Sequence, residues 1–200
     1  MATFTILTVC TGNVCRSPLA EQLLRLELQD LPGVRVHSVG TRAVVGAPMS
    51  PPSQHIAASL GVLHPETHVG RQLTVNEVRD ADLILAMSRE HRRATVELLP
   101  RASRVTFTVR EFARLANTID AGVFETRTPL MTESPADLMR DGVEVVASLR
   151  GSLPPLDDPR VDDVVDPYGQ TDEIYAQSAA QLVPAVRATG LLLRAAIGAI

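Results

Sequence analysis

The chain has 200 residues, 45% of them hydrophobic and 21% charged. It is long enough to bury a sizeable core and too apolar for intrinsic disorder. A formal net charge of −4 argues against a protein that coats nucleic acid or an anionic membrane. Aromatic residues make up 3% of the chain and there is no Trp, so stacking platforms for single strands are not expected either. All 19 cationic side chains are Arg, which excludes a Schiff-base lysine and the lysine of a Walker-type phosphate loop. Two cysteines cannot staple a domain of this size, and no basic segment precedes the first apolar run. A reducing, cytoplasmic setting with no signal peptide is therefore the expectation.

Phe4–Val9 is a short β-rich run of the kind found in buried parallel strands. It leads into Cys10-Thr11-Gly12-Asn13-Val14-Cys15-Arg16-Ser17-Pro18 and then a helical pattern from Leu19 to Leu26. Ser17 is the expected N-cap and Pro18 the expected first helical residue. Val34–Ser38 alternates as a second strand, Gly40–Pro52 reads as loop, and a helix near Ser53–Leu60 ends at Gly61. Asp82–Met87 reads as a third strand, Ser88–Leu98 as a helix and Arg104–Thr108 as a fourth strand. Residues 109–158 read as an insertion or elaborated crossover, with helices near Arg110–Ala116 and Pro135–Leu149. After Asp166-Pro167-Tyr168-Gly169 a last helix covers about Thr171–Ile197, amphipathic and broken in apolarity by Pro184, Arg187 and Arg194, so it fits packing better than membrane spanning. Strands alternating with helices predict an α/β fold. It is a small doubly wound sheet of four parallel strands with helices on both faces and a phosphate loop after strand 1, all in one domain over 1–200.

A strand that ends in a Gly-containing loop and opens a helix brings backbone N–H groups together on an anion. In this loop Arg16 offers a planar fork for phosphate oxygens. Cys10, at the strand end, faces a helix N-terminus whose positive dipole end and Arg16 favour a thiolate. The Cys-x5-Arg spacing lets the chain wrap a semicircle with sulfur beneath the phosphorus, an arrangement for in-line attack on a phosphoryl group. Such an attack needs an acid for the leaving oxygen. Asp166, held extended by Pro167, is the candidate, with Tyr168 placed to stack on an aryl leaving group. Asp157, Asp158, Asp162 and Asp163 lack the Pro-Tyr context and read as solvated loop charge. The histidines have no metal-ligand spacing, so no metal and no cofactor are expected.

Val9-Cys10-Thr11-Gly12-Asn13-Val14-Cys15-Arg16-Ser17-Pro18, together with the distal Asp-Pro-Tyr-Gly at 166–169, closely resembles the phosphate and general-acid loops of low-molecular-weight protein tyrosine phosphatases. Ser38, Gly46–Met49 and His68–Leu73 look like further landmarks of that family in the same order. The resemblance covers about 1–108 and 157–197. It implies that Cys10 is the nucleophile and that Arg16 binds phosphate with the loop Thr11, Gly12, Asn13, Val14, Cys15 and Ser17. It also implies that Asp166 protonates the leaving phenol and then activates water. By the same resemblance Ser17 hydrogen-bonds the Cys10 thiolate, Asn13 holds a strained loop conformation supported by Ser38 and His68, and Cys15 forms a reversible disulfide with Cys10 on oxidation.

A phosphotyrosine-bearing protein is the substrate expected from this resemblance, and inorganic phosphate or sulfate should occupy the loop. Val14 stands where the family's arginine-phosphatase branch carries Thr, which favours phosphotyrosine. The wall Thr41–Val45, with Val44 at the cleft, carries no aromatic residue, leaving Tyr168 as the main aryl contact. Three alternatives accompany this reading: a protein arginine phosphatase on the same fold, a thiol-dependent arsenate reductase, and an oxyanion- or phosphoprotein-binding module without turnover. The absence of any Cys after Cys15 weighs against the thioredoxin-coupled reductase.

Overall fold

The computed structural model describes residues 2–120, 122–125 and 133–199. Four strands form one all-parallel sheet in the order β2-β1-β3-β4, with β1 at Phe4–Cys10, β2 at Val34–Gly40, β3 at Leu83–Ala86 and β4 at Thr106–Thr108. The expected fold class is therefore observed. The strands are shorter or longer than their sequence signals by one or two residues. Arg104 ends a 3-10 turn over Pro100–Arg104 and does not enter β4.

Parallel strands expose no face to water, and alternate residues of β1 show why the sequence is apolar on both sides. Phe4, Ile6 and Cys10 join one core with α1 (Arg16–Glu27) and the long terminal helix, while Leu7 and Val9 join a second core on the other face with Val78 and Ala102. The remaining helices are α2 (Pro51–Ser59), α3 (Val75–Asp80), α4 (Arg89–Leu98), α5 (Val109–Ala116), α6 (Gly122–Glu125), α7 (Pro135–Ser148) and α8 (Asp172–Ala196). α8 runs unbroken through Pro184, whose ring lies on the exposed side where the lost N–H costs least.

The segment expected as an insertion holds α5, α6 and α7; its residues 121 and 126–132 lie outside the described residues. Ser134 caps α7 in a reciprocal capping box with Asp137. Met139, Val143 and Val146 of α7 are buried in the same core as Phe107 and Phe112, whose rings meet edge to face at 5.1 Å. Arg140 ties α7 to the start of β3 and β1, through Asp82 at 2.8 Å and the Thr3 carbonyl at 2.7 Å. This helix thus packs at the foot of the sheet, away from the C-terminal strand ends. Among the described residues no helix is long and apolar enough to cross a membrane.

Candidate active site

The order β2-β1-β3 makes the chain leave β1 toward one side and return on the other, which opens a crevice at the C-terminal end of β1. Cys10 ends β1 there, and residues 11–15 form the loop that enters α1. Each carbonyl from Cys10 to Val14 accepts a hydrogen bond from outside the loop. The donors are Thr41 N, Arg42 N, Val44 N, His68 Nε2 and Ser50 N in turn, at 2.7–2.9 Å. With its carbonyls turned outward, the loop leaves the amides of Thr11, Gly12, Val14, Cys15 and Arg16 without a protein acceptor among the described residues. The Asn13 amide points at Cys10 Sγ, 3.3 Å away.

Asn13 is the hub. It sits in the left-handed region at φ 56°, which Asn tolerates better than most side chains. Its Nδ2 donates to Ser17 Oγ at 3.0 Å and to Ser38 Oγ at 2.8 Å, and its Oδ1 accepts from the Arg71 amide at 2.7 Å. Ser17 Oγ lies 2.9 Å from Cys10 Sγ. That commitment corrects the expected cap. Cys15 is the N-cap and Arg16 the first helical residue, because the Ser17 hydroxyl serves the sulfur and Asn13 instead of the helix end.

Behind Ser38 stands Glu21, which the sequence reading missed. Ser38 Oγ donates to Glu21 Oε2 at 2.5 Å, His68 Nδ1 lies 3.7 Å from the same oxygen, and Arg25 pairs with Oε1 at 2.6 Å. Burial pushes the Glu21 carboxyl up, but hydrogen bonds to His68 and Ser38 and the Arg25 charge outweigh it and hold it below the ordinary range. Only burial distinguishes Glu21 from an ordinary helix-surface carboxylate, and burial is not visible in sequence.

Arg16 is buried. Its Nη1 donates to the Val164 carbonyl at 3.2 Å and its Nη2 to Asp166 Oδ2 at 2.5 Å, while its Nε is buried with no partner. An unpartnered guanidinium N–H in a buried site is costly unless an anion completes it. Asp166, half-exposed, also accepts from the Tyr168 amide at 3.2 Å. Cys10, Thr11, Gly12, Val14, Cys15, Arg16, Arg42, Val44, Asp166 and Tyr168 line one cavity of about 180 Å³, so the two residues expected at the substrate cleft are brought to it. Arg42, part of the wall expected at Thr41–Val45, lines it as well.

Two further partners were not legible. His91 bridges Ser88 Oγ and Thr11 Oγ1, each at 2.8 Å. Burial and the nearby Arg16 charge lower its pKa to about 4. The thiol of Cys15 faces Ser50 Oγ at 3.2 Å and the Tyr175 hydroxyl at 3.6 Å. Burial pushes that thiol up, and the hydrogen bonds to Ser50 and Tyr175 offset only part of the rise. Both cysteines are free thiols. Asp162 and Asp163, expected as solvated charge, are instead paired with Arg114 and Arg89, each at 2.9 Å. The reason lies in the helices opposite, which present arginines at those points.

The sequence model of the low molecular weight phosphotyrosine protein phosphatase family matches residues 5–135, and the chain belongs to that family. A low molecular weight protein-tyrosine-phosphatase, Etp, of Escherichia coli K12 is 50% identical over 86 residues, which are 43% of this chain and 55% of that protein. The chain thus spans about half the length of that relative. A protein-arginine-phosphatase of Geobacillus stearothermophilus is 38% identical over 109 residues, 54% of this chain and 71% of that protein. The solved structure of the YwlE arginine phosphatase from the same organism aligns with TM-score 0.66 and 26% identity, covering 96% of this chain and 93% of that one. The family match ends before Asp166, which the fold nevertheless carries back to Arg16.

Proposed function

We propose that the protein hydrolyses phosphotyrosine in proteins, and aryl phosphates in general, through a phosphoenzyme on Cys10. One observation carries this reading. Free loop amides, the unpartnered Nε of Arg16 and the sulfur of Cys10 converge on one cavity whose other walls, Val14, Val44 and Tyr168, suit an aromatic ring. The phosphate dianion takes the place of the Asp166 carboxylate on Arg16, and the freed carboxyl enters the reaction protonated. Cys10 Sγ attacks phosphorus in line, the S–P bond forms as the P–O(aryl) bond breaks, and the Asp166 proton passes to the departing phenol oxygen. In the second step water attacks phosphorus, its proton returns to the Asp166 carboxylate, and the S–P bond breaks to restore the thiolate and release inorganic phosphate. Ser17 and the Asn13 amide donate to that thiolate, while Ser38, His68 and Glu21 hold Asn13 in place.

We read the chain 1–200 as one phosphatase domain in which 109–158 elaborates a crossover, a reading supported by the burial of α7 in the common core. Two free thiols fit a reducing, cytoplasmic setting. The test is a substrate panel on the reduced protein with EDTA: p-nitrophenyl phosphate, a phosphotyrosine peptide, a phosphoarginine peptide, and arsenate with a thiol. The expected result is hydrolysis of the first two, lost in Cys10→Ser with melting temperature unchanged. Full activity in Cys10→Ser overturns the mechanism. Preference for phosphoarginine, the activity in the name of the 38%-identical relative, overturns the substrate and keeps the chemistry.

A further inference from the structure

We propose that Arg89 and Asp163 form a positioning pair that fixes the acid loop over the phosphate loop, and thereby sets where Asp166 meets the leaving oxygen. The inference rests on the phosphatase reading above. Asp166 itself has few anchors: Arg16 Nη2 and the amide of Tyr168 in its own loop. A bound phosphate competes for the first of these. The restraint that remains then comes from the residues just before it.

Val165 donates its amide to Gln181 Oε1 of α8 at 2.9 Å, and the two residues before it are hung from the junction of β3 and α4. Arg89 grips Asp163 with three groups: its amide to Oδ1 at 2.8 Å, Nε to both oxygens at 3.2 Å, and Nη2 to Oδ2 at 2.9 Å. The next residue, Val164, donates its amide to the Met87 carbonyl at 2.8 Å, and Arg110 Nη1 donates to the Asp163 carbonyl at 3.1 Å. The same junction also holds the end of β1 and the phosphate loop. The Met87 amide donates to the Val9 carbonyl at 2.8 Å, and His91 meets Thr11 Oγ1 at 2.8 Å. One turn, Met87–His91, therefore carries both the nucleophile's loop and the acid's loop. Arg89 is its only side chain that reaches the acid loop among the described hydrogen bonds. A planar fork fits this task because it fixes direction as well as distance, which a lysine does not.

The pair is also partly exposed, with side-chain exposures of 46% for Arg89 and 27% for Asp163, so it contributes little to global stability. That separates positioning from folding in an experiment. The variants are Arg89→Ala, Arg89→Lys, Asp163→Ala and the Arg89→Ala/Asp163→Ala double. The readouts are kcat/KM across aryl phosphates whose phenols rise in pKa, competitive inhibition by inorganic phosphate, and melting temperature. The expected result is a loss on the order of five-fold in kcat/KM for the poorest leaving group, shrinking toward none for the best. The affinity for inorganic phosphate and the melting temperature should stay near wild type. The double variant should be no worse than either single, and Arg89→Lys should recover only part of the loss. Equal losses for every leaving group, or a matching loss of phosphate affinity, overturn the proposal. So does wild-type behaviour in all variants. A wild-type protein that hydrolyses no aryl phosphate overturns the phosphatase reading, and this inference with it.

Discussion

His91 makes the protein's stability depend on pH between its buried and its free pKa. It is 4% exposed, and burial, ahead of Arg16, lowers its pKa to about 4; Arg42 acts in the same direction and Asp166 and Asp163 oppose it. Unfolding frees the imidazole to protonate near its ordinary 6.5. Between those two values the unfolded chain binds a proton that the folded one refuses, so stability is full above pH 6.5 and is lost as pH falls toward 4. At 1.36 kcal/mol per pKa unit, this one group costs about 2 kcal/mol by pH 5 and about 3 kcal/mol by pH 4. In a chain of this length the pH 5 figure corresponds to a fall in melting temperature of about 4–8 °C. The assay is urea or thermal unfolding at pH 7.5 and 5.0 on wild type and His91→Gln, which keeps polar ends for Ser88 and Thr11. His37, also lowered by burial, adds a slope of the same sign to both proteins, so only the difference between them counts. Equal losses in the two proteins over this window refute the reasoning.

Two other perturbations report on different parts of the site. Asp166→Ala should lower kcat/KM for aryl phosphates with poor leaving groups by about 10²–10⁴-fold and for good ones far less, in a leaving-group series; an equal loss on both removes Asp166 from the acid role. Gly40→Ala would place a Cβ 2.5 Å from the Thr11 carbonyl oxygen and 3.0 Å from Ala43, against backbone on one side and a neighbouring residue on the other. Because the strand end and the phosphate loop must then separate, a stability loss of about 1–3 kcal/mol and weaker phosphate binding are expected, measured by denaturant unfolding and by competitive inhibition.

What the sequence made legible was local. The apolar runs of β1 and β3, the Cys10–Arg16 loop and the existence of a helix after it follow from residues within one short window each, and the structure carries them with small shifts at their ends. Asp166 was legible through Pro167, although 150 positions separate it from the Arg16 it meets. Glu21, Arg71, His91 and the Arg89–Asp163 pair were not. Each depends on which surface of a helix or loop the tertiary fold turns inward, and their spacing along the chain carries no signal of that. The Ser17 cap failed for a related reason: a hydroxyl next to a helix start has a default partner, and a buried sulfur outcompeted it.

The same contacts order the hydrogen bonds around Cys10. The donors around Cys10 Sγ, the Asn13 amide and the Ser17 hydroxyl, are fixed by a chain running through Asn13 to Ser38 and ending on the buried carboxylate of Glu21. Ser38 gives its proton to Glu21, so its oxygen is free to accept from Asn13 Nδ2. Ser17 accepts from the same amide, so its own proton is free for the sulfur, 2.9 Å away, with the Val39 carbonyl at 3.3 Å the more distant alternative. Each acceptance fixes the next donor's direction, and the last one aims the Ser17 hydroxyl at the sulfur. Glu21, two hydroxyls removed from Cys10 Sγ, thus orders the loop's hydrogen bonds without entering the cavity. Burial alone would push the pKa of this carboxylate on α1 up, and the hydrogen bonds to His68 and Ser38 with the Arg25 charge hold it below the ordinary range instead.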